Sequence, residues 1–182
     1  MKLVIIGCGR SGTTRTQQII SKHFDFGHEC LKEHGGVGWN LALDQHWYNI
    51  DESYLIWHQV RSPVDTISSL QSHNLTLFDT IGRQLGIELG EHKLLASMRY
   101  WYHWNSMCMQ YATHTFRAEE LVPGTDTADL FNSVFGVKFD FKPSITINSR
   151  PRYRHKVTLQ NLIDIDPVLT KKITDLSDQY GY

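Results

Sequence analysis

The chain alternates short apolar runs with longer amphipathic stretches. Lys2–Ile6 reads KLVII, rich in β-branched residues, and predicts a strand. Arg15–His23 then sets Ile19 and Ile20 among polar residues, the pattern of an amphipathic helix. Phe24–His28 predicts a second short strand, Glu33–Gly38 a mobile glycine-rich loop, and Trp39–Trp47 a short helix. Tyr54–Val60 (YLIWHQV) is a buried-strand run. A helix over Pro63–Ser72 follows, with Ser62 as N-cap, Pro63 at its first position and Asp65 completing a capping box. Leu75–Gly90 is helical in pattern but broken by Gly82, Gly86 and Gly90. Glu91–Tyr111 is the longest helix, striped by Leu94, Met98, Trp101, Cys108 and Tyr111, and its tryptophans read as core. Thr113–Arg117 predicts a strand and Asp126–Phe135 a helix. Asp166 caps and Pro167 opens a last helix, with Val168, Leu169, Ile173, Leu176 and Tyr180 inward.

Composition narrows the class. A chain of 182 residues reads as one domain, 1–182, and 41% hydrophobic residues are enough for a sizeable core. A formal charge of -1 leaves no overall basic footprint for nucleic acid. Cys8, Cys30 and Cys108 are odd in number and lack metal-ligand spacing, which fits a reducing compartment. The N-terminal apolar run is too short for a signal peptide or a membrane span. The expectation is a soluble cytoplasmic protein.

The chemistry gathers between the first strand and the first helix. Gly7–Thr14 reads GCGRSGTT, and strand, glycine loop and helix in that order have the layout of a phosphate cradle. Three readings compete for it. Gly7, Gly9 and Gly12 fit a dinucleotide fingerprint, with Glu29 as the ribose acid. Gly7 and Gly12 fit a nucleotide-hydrolysing P-loop, but Thr13 stands where its lysine belongs. Arg10-Ser11-Gly12-Thr13-Thr14 fits every position of the 5′-phosphosulfate loop of sulfotransferases, [KR]-S-G-T-[ST].

A second motif decides among them. Arg61-Ser62-Pro63-Val64-Asp65, with Ser69 eight residues after the arginine, resembles the 3′-phosphate site of sulfotransferases. Arg99–Asn105 resembles the aromatic helix found after that motif in bacterial members. Phe116–Leu121 resembles the family's Arg-Tyr-Glu-Asp-Leu segment, with Ala118 in place of tyrosine. A P-loop kinase would need a loop lysine and magnesium carboxylates. A nicotinamide oxidoreductase leaves the second motif unexplained, and a nucleotide-binding module without catalysis is the third alternative.

The resemblance implies an α/β fold: a three-layer P-loop-type sandwich with a central, mostly parallel sheet flanked by helices. It implies transfer of a sulfuryl group from 3′-phosphoadenosine 5′-phosphosulfate (PAPS), without a metal, to a hydroxyl or amine of a small-molecule, sugar or lipid acceptor. Gly9, Arg10, Ser11, Gly12, Thr13, Thr14 and Arg15 would line the 5′ end of the donor, with Arg10 also the catalytic cation. Arg61 and Ser69 would hold the 3′-phosphate. The family's C-terminal Arg-Lys-Gly motif is absent, so Arg152, Arg154 or Lys156 of the basic run would substitute, and Arg154 joins the donor set. The general base is assigned to Glu29, at the end of the second strand, with His28, His34 and His58 as rivals and His34 kept in the catalytic set.

Overall fold

The computed structural model describes residues 2–42, 50–72, 75–141 and 156–182. Five parallel strands form one sheet in the order β2-β3-β1-β4-β5. They are β1 (Lys2–Ile6), β2 (Gly27–His28), β3 (Gly35–Gly38), β4 (Tyr54–Val60) and β5 (His114–Arg117). The helices among the described residues are α1 (Thr13–Ile20), α2 (Pro63–Leu70), α3 (Leu75–Leu85), α4 (Lys93–Tyr111), α5 (Asp126–Phe135), α6 (Leu159–Ile165) and α7 (Pro167–Gln179).

Strand β1 explains the layering. It lies mid-sheet, and its alternate side chains enter different cores, as a two-residue period requires. Leu3 and Ile5 pack with Ile19, Ile20, Trp57, Phe116 and Phe131 on the α1 and α5 side. Val4 and Ile6 pack with Ile67, Phe78, Trp101, Trp104 and Ile173 on the α2, α3, α4 and α7 side. The aromatic α4 helix is therefore core, as its stripe suggested, although Tyr111 at its end is exposed. In α7, Leu169, Ile173 and Leu176 turn inward, while Val168 faces solvent at 68% exposure.

Several expectations change. The second strand shortens to Gly27–His28, because Phe26 is committed to the core and its carbonyl accepts from the Gln17 side chain. Gly35–Gly38 is a buried strand beside β1, not a mobile loop. Its glycines exist for close approach: a Cβ at Gly38 would stand 2.9 Å from the Cα of Glu29, and at Gly36 it would collide with the Cys30 carbonyl. After it comes only a 3₁₀ turn, Asn40–Ala42; the rest of the helix expected over Trp39–Trp47 lies outside the described residues. Ser62 precedes α2 but makes no side-chain cap, and Asp65 faces Lys156 at 3.5 Å instead of capping. Helix α3 passes through Gly82 and ends at Gly86. Helix α6 escaped the sequence pattern; Thr158 and Asn161 form its capping box.

His58, on β4, is fully buried. Asn105 donates to the Trp101 carbonyl, so its oxygen accepts from His58 Nε2 at 3.0 Å, which fixes the neutral tautomer. Nδ1 has no partner among the described residues, and the Tyr180 ring meets the imidazole edge-on. Burial lowers its pKa to about 4, against a smaller opposing effect of the Asn105 bond. A depressed histidine pKa favours the neutral form in the fold. The associated stability is full above the unfolded value near 6.5 and is lost as pH falls toward 4. His58→Gln should therefore abolish about 2 kcal/mol of the stability that the parent loses between pH 7.5 and pH 5. Urea titrations of both proteins at the two pH values measure this, and identical losses would exclude His58 as the source.

Candidate functional site: an anion cradle at the carboxyl ends of the strands

The cradle is built from the end of β1. Ser11 N–H donates to the Cys8 carbonyl at 3.1 Å and folds residues 7–12 over the edge of the sheet. Gly7 passes so close to β4 that a Cβ would lie 2.5 Å from the Gln59 carbonyl. Gly12 takes φ 96, the left-handed region open to glycine, and begins α1 with no side-chain cap. The opening N–H groups of α1, at Thr13 and Thr14, therefore have the geometry that receives an anion. Ser11 Oγ is buried without a hydrogen-bond partner among the described residues.

Two polar side chains fasten this loop. Gln59 is buried on β4; its Nε2 donates to the Ser11 carbonyl at 2.8 Å and its Oε1 accepts from Thr16 Oγ1 at 2.7 Å. Tyr100, from α4, accepts the Gly9 N–H on its hydroxyl at 2.9 Å. Burial raises the pKa of that phenol, so it stays protonated. Cys8 lies beneath the loop with its thiol pushed well up by burial, which leaves it unreactive.

The two sequence motifs meet here. Arg10 Nε donates to Ser69 Oγ at 2.8 Å, across 59 residues. Arg61 follows β4 and brings Nη1 within 3.5 Å of the Arg10 carbonyl. Two guanidinium groups and a hydroxyl thus share one corner beside the start of α1. Lys156 and Val157 dock nearby on α2, where the Val157 N–H donates to Ser68 Oγ at 3.1 Å. Arg154 lies outside the described residues.

Glu29 directly follows β2, which lies two strand spacings or about 10 Å from β1. Its backbone has φ 56, and the only other non-glycine residue with positive φ among the described residues is Arg10, at φ 71. Three contacts hold Glu29 there. Its N–H donates to the Val37 carbonyl at 2.9 Å, its carbonyl accepts from Asn40 Nδ2 at 2.8 Å, and Oε1 accepts from Trp39 Nε1 at 3.0 Å. The carboxylate is exposed. His28 precedes it, with Nε2 3.3 Å from Thr14 Oγ1 and 3.5 Å from Thr13 Oγ1.

Other expected site residues are placed elsewhere. His34 precedes β3 at the opposite edge of the sheet, about 13 Å away along the strand, packed on Phe24 with its carbonyl accepting from Leu3. It cannot act at the cradle. Gly9 gives its N–H to Tyr100 within the protein. Arg15 turns to carbonyls: Nη2 donates to Leu121 at 2.8 Å and Phe141 at 3.4 Å, which makes it a fastener of the fold. His58 is sealed in the core. Gln59 and Tyr100 were missed; a lone amide in the run YLIWHQV was a signal that some buried polar group needed it.

No protein-family model matches the chain, and no curated protein does. Solved structures do match. The sulfotransferase domain from the curacin biosynthetic pathway superposes with a TM-score of 0.55 at 11% identity, covering 100% of this chain and 97% of that one. The chain has the sulfotransferase fold. A sulfotransferase from Alicyclobacillus acidocaldarius agrees, with a TM-score of 0.53 at 11% identity over 99% of this chain and 95% of that one. Within this sulfotransferase fold, no helix among the described residues is long and apolar enough to cross a membrane.

The Tyr100 contact gives a test of how the cradle is held. Tyr100→Phe keeps the ring but leaves the Gly9 N–H without its acceptor. Stability should fall by about 0.5–1.5 kcal/mol, the net worth of one hydrogen bond to a part-buried donor. Urea denaturation reads this directly; an unchanged midpoint would mean that the loop does not depend on the phenol.

Proposed function

We propose that this chain is a sulfotransferase that moves a sulfuryl group from PAPS to a hydroxyl or amine of a small-molecule, sugar or lipid acceptor. The observation that carries the reading is the 2.8 Å bond from Arg10 to Ser69. It joins a 5′-phosphosulfate loop and a 3′-phosphate motif at one corner, as a donor with phosphates at both positions requires. The fit extends to the buried, unpartnered Ser11 hydroxyl and the uncapped start of α1.

When bound, the nucleotide supplies the sulfuryl group and a phosphate leaving group; the protein supplies position and charge. The Thr13 and Thr14 amides and the Ser11 hydroxyl hold the leaving side as anion donors. Arg10 balances the negative charge that develops there. Arg61 and Ser69 grip the second phosphate and fix the orientation. Glu29 takes the proton of the acceptor through the carboxylate whose other side is steadied by Trp39. No lysine is needed at Thr13, because no γ-phosphate has to be held.

Adenosine 3′,5′-bisphosphate should raise the melting temperature far more than AMP, ATP with magnesium or NAD. Arg61→Ala should weaken the bisphosphate by about 1.5–3 kcal/mol and leave AMP nearly unchanged, as for a hydrogen bond to a charged group. Thermal shift and calorimetric titration check both; equal affinities for the bisphosphate and AMP in the parent would overturn the two-phosphate reading.

The base has its own test. Glu29→Gln should preserve donor affinity and lower turnover by about 10²–10⁴-fold with an active acceptor. Turnover within a few-fold of the parent would pass the role to His28, whose Nε2 lies at the start of α1.

A further inference from the structure

Glu119 has no place in the scheme above, yet it stands at its centre. It belongs to the 3₁₀ turn Ala118–Glu120 that follows β5. Strands β4 and β5 pair Val60 with Arg117, so the residues after them emerge side by side. Ala118 comes close to the cradle: a Cβ at Gly12 would lie 3.5 Å from its own Cβ. The two adjacent carboxylates behave differently. Glu120 is consumed locally, accepting from the Arg117 N–H at 3.1 Å, Arg117 Nε at 2.8 Å and Thr127 Oγ1 at 2.9 Å. Glu119 instead points Oε1 at Arg61 Nε, 3.9 Å away.

The other oxygen is held. Glu119 Oε2 accepts from the Tyr182 hydroxyl at 2.7 Å. Tyr182 is itself anchored, because Arg117 lies over its ring at 5.6 Å and donates through Nη1 to the Gly181 carbonyl. Burial and the neighbouring Glu119 push the phenol pKa upward, so it remains a donor at neutral pH. A carboxylate is thereby kept beside the guanidinium assigned to the 3′-phosphate.

We propose that Glu119, clasped by Tyr182, is a resident anion that competes with the nucleotide 3′-phosphate for Arg61 and so sets how tightly that phosphate is held. The inference rests on the PAPS reading of the site. Its physical content is simple. In the free protein Glu119 partly neutralises Arg61; in the complex it must withdraw or stand near a phosphate of like charge. Both effects weaken the grip, and neither touches a nucleotide lacking the 3′-phosphate. Because the pair is solvent-exposed, the effect is modest and screened by salt. A weaker grip on the 3′-phosphate also favours departure of the spent nucleotide, which retains that group after transfer.

The test is calorimetric titration of the parent, Glu119→Gln and Tyr182→Phe with adenosine 3′,5′-bisphosphate and with AMP, at low and high salt. Glu119→Gln should tighten the bisphosphate by about two- to fivefold at low salt, the scale of one exposed ion pair. AMP should be unaffected, and the gain should shrink at high salt. Tyr182→Phe should shift the bisphosphate in the same direction by less. An unchanged or weakened bisphosphate affinity in Glu119→Gln, or an equal gain for AMP, overturns the proposal while the PAPS reading stands. A parent that does not prefer the bisphosphate over AMP overturns both.

Discussion

The buried amide of Gln59 is the contact on which the site depends. It ties the Ser11 carbonyl to β4 with one end and the Thr16 hydroxyl of α1 with the other. A glycine-rich loop has little side-chain packing to define its course, so its position comes from backbone hydrogen bonds and from whatever braces them. Gln59 braces the loop to two elements at once, and Tyr100 adds a third through Gly9. The Arg10–Ser69 bond can form only because Ser11 and its neighbours are already placed.

Among the described residues, left-handed backbone at non-glycine positions occurs only at this same edge. Arg10 and Glu29 occupy the left-handed region, a conformation that costs about 1–3 kcal/mol for each non-glycine residue. Each has its compensation on hand. Arg10 bonds to Ser69, and Glu29 is held by Val37, Trp39 and Asn40. Both residues lie past the carboxyl ends of strands, Arg10 after β1 and Glu29 after β2.

Much of this was legible locally. Tyr54–Val60, Asp126–Phe135 and the Pro167 helix start stand where the sequence places them, because apolar runs, caps and prolines act over a few residues. The parallel α/β sandwich followed from the family resemblance that two motifs carry, each read between a strand and a helix. Strand β3 was not legible: a strand is recognised by its side chains, and Gly-Gly-Val-Gly has one. Nor were the partners of the site, since Gln59 meets Ser11 across 48 residues and Gly9 meets Tyr100 across 91. His34 failed for the related reason that a parallel strand carries its two ends to opposite edges of the sheet, and only the course of the chain says which end a residue joins.

The near-bare ribbon of β3 carries a further consequence. Pairing register is normally enforced by side chains that would change faces on slipping by one residue. In β3 that task falls to Val37 alone, which is fully buried opposite Ile5. The turn through Glu29 and Cys30 lies across the same glycines. A slip or a one-residue insertion here would rotate Val37 out of the core and carry the carboxylate with it. The place of Glu29 at the sheet's carboxyl end is therefore tied to the register of one valine side chain and a strip of backbone, with Trp39 and Asn40 fixing the residue once that register is set.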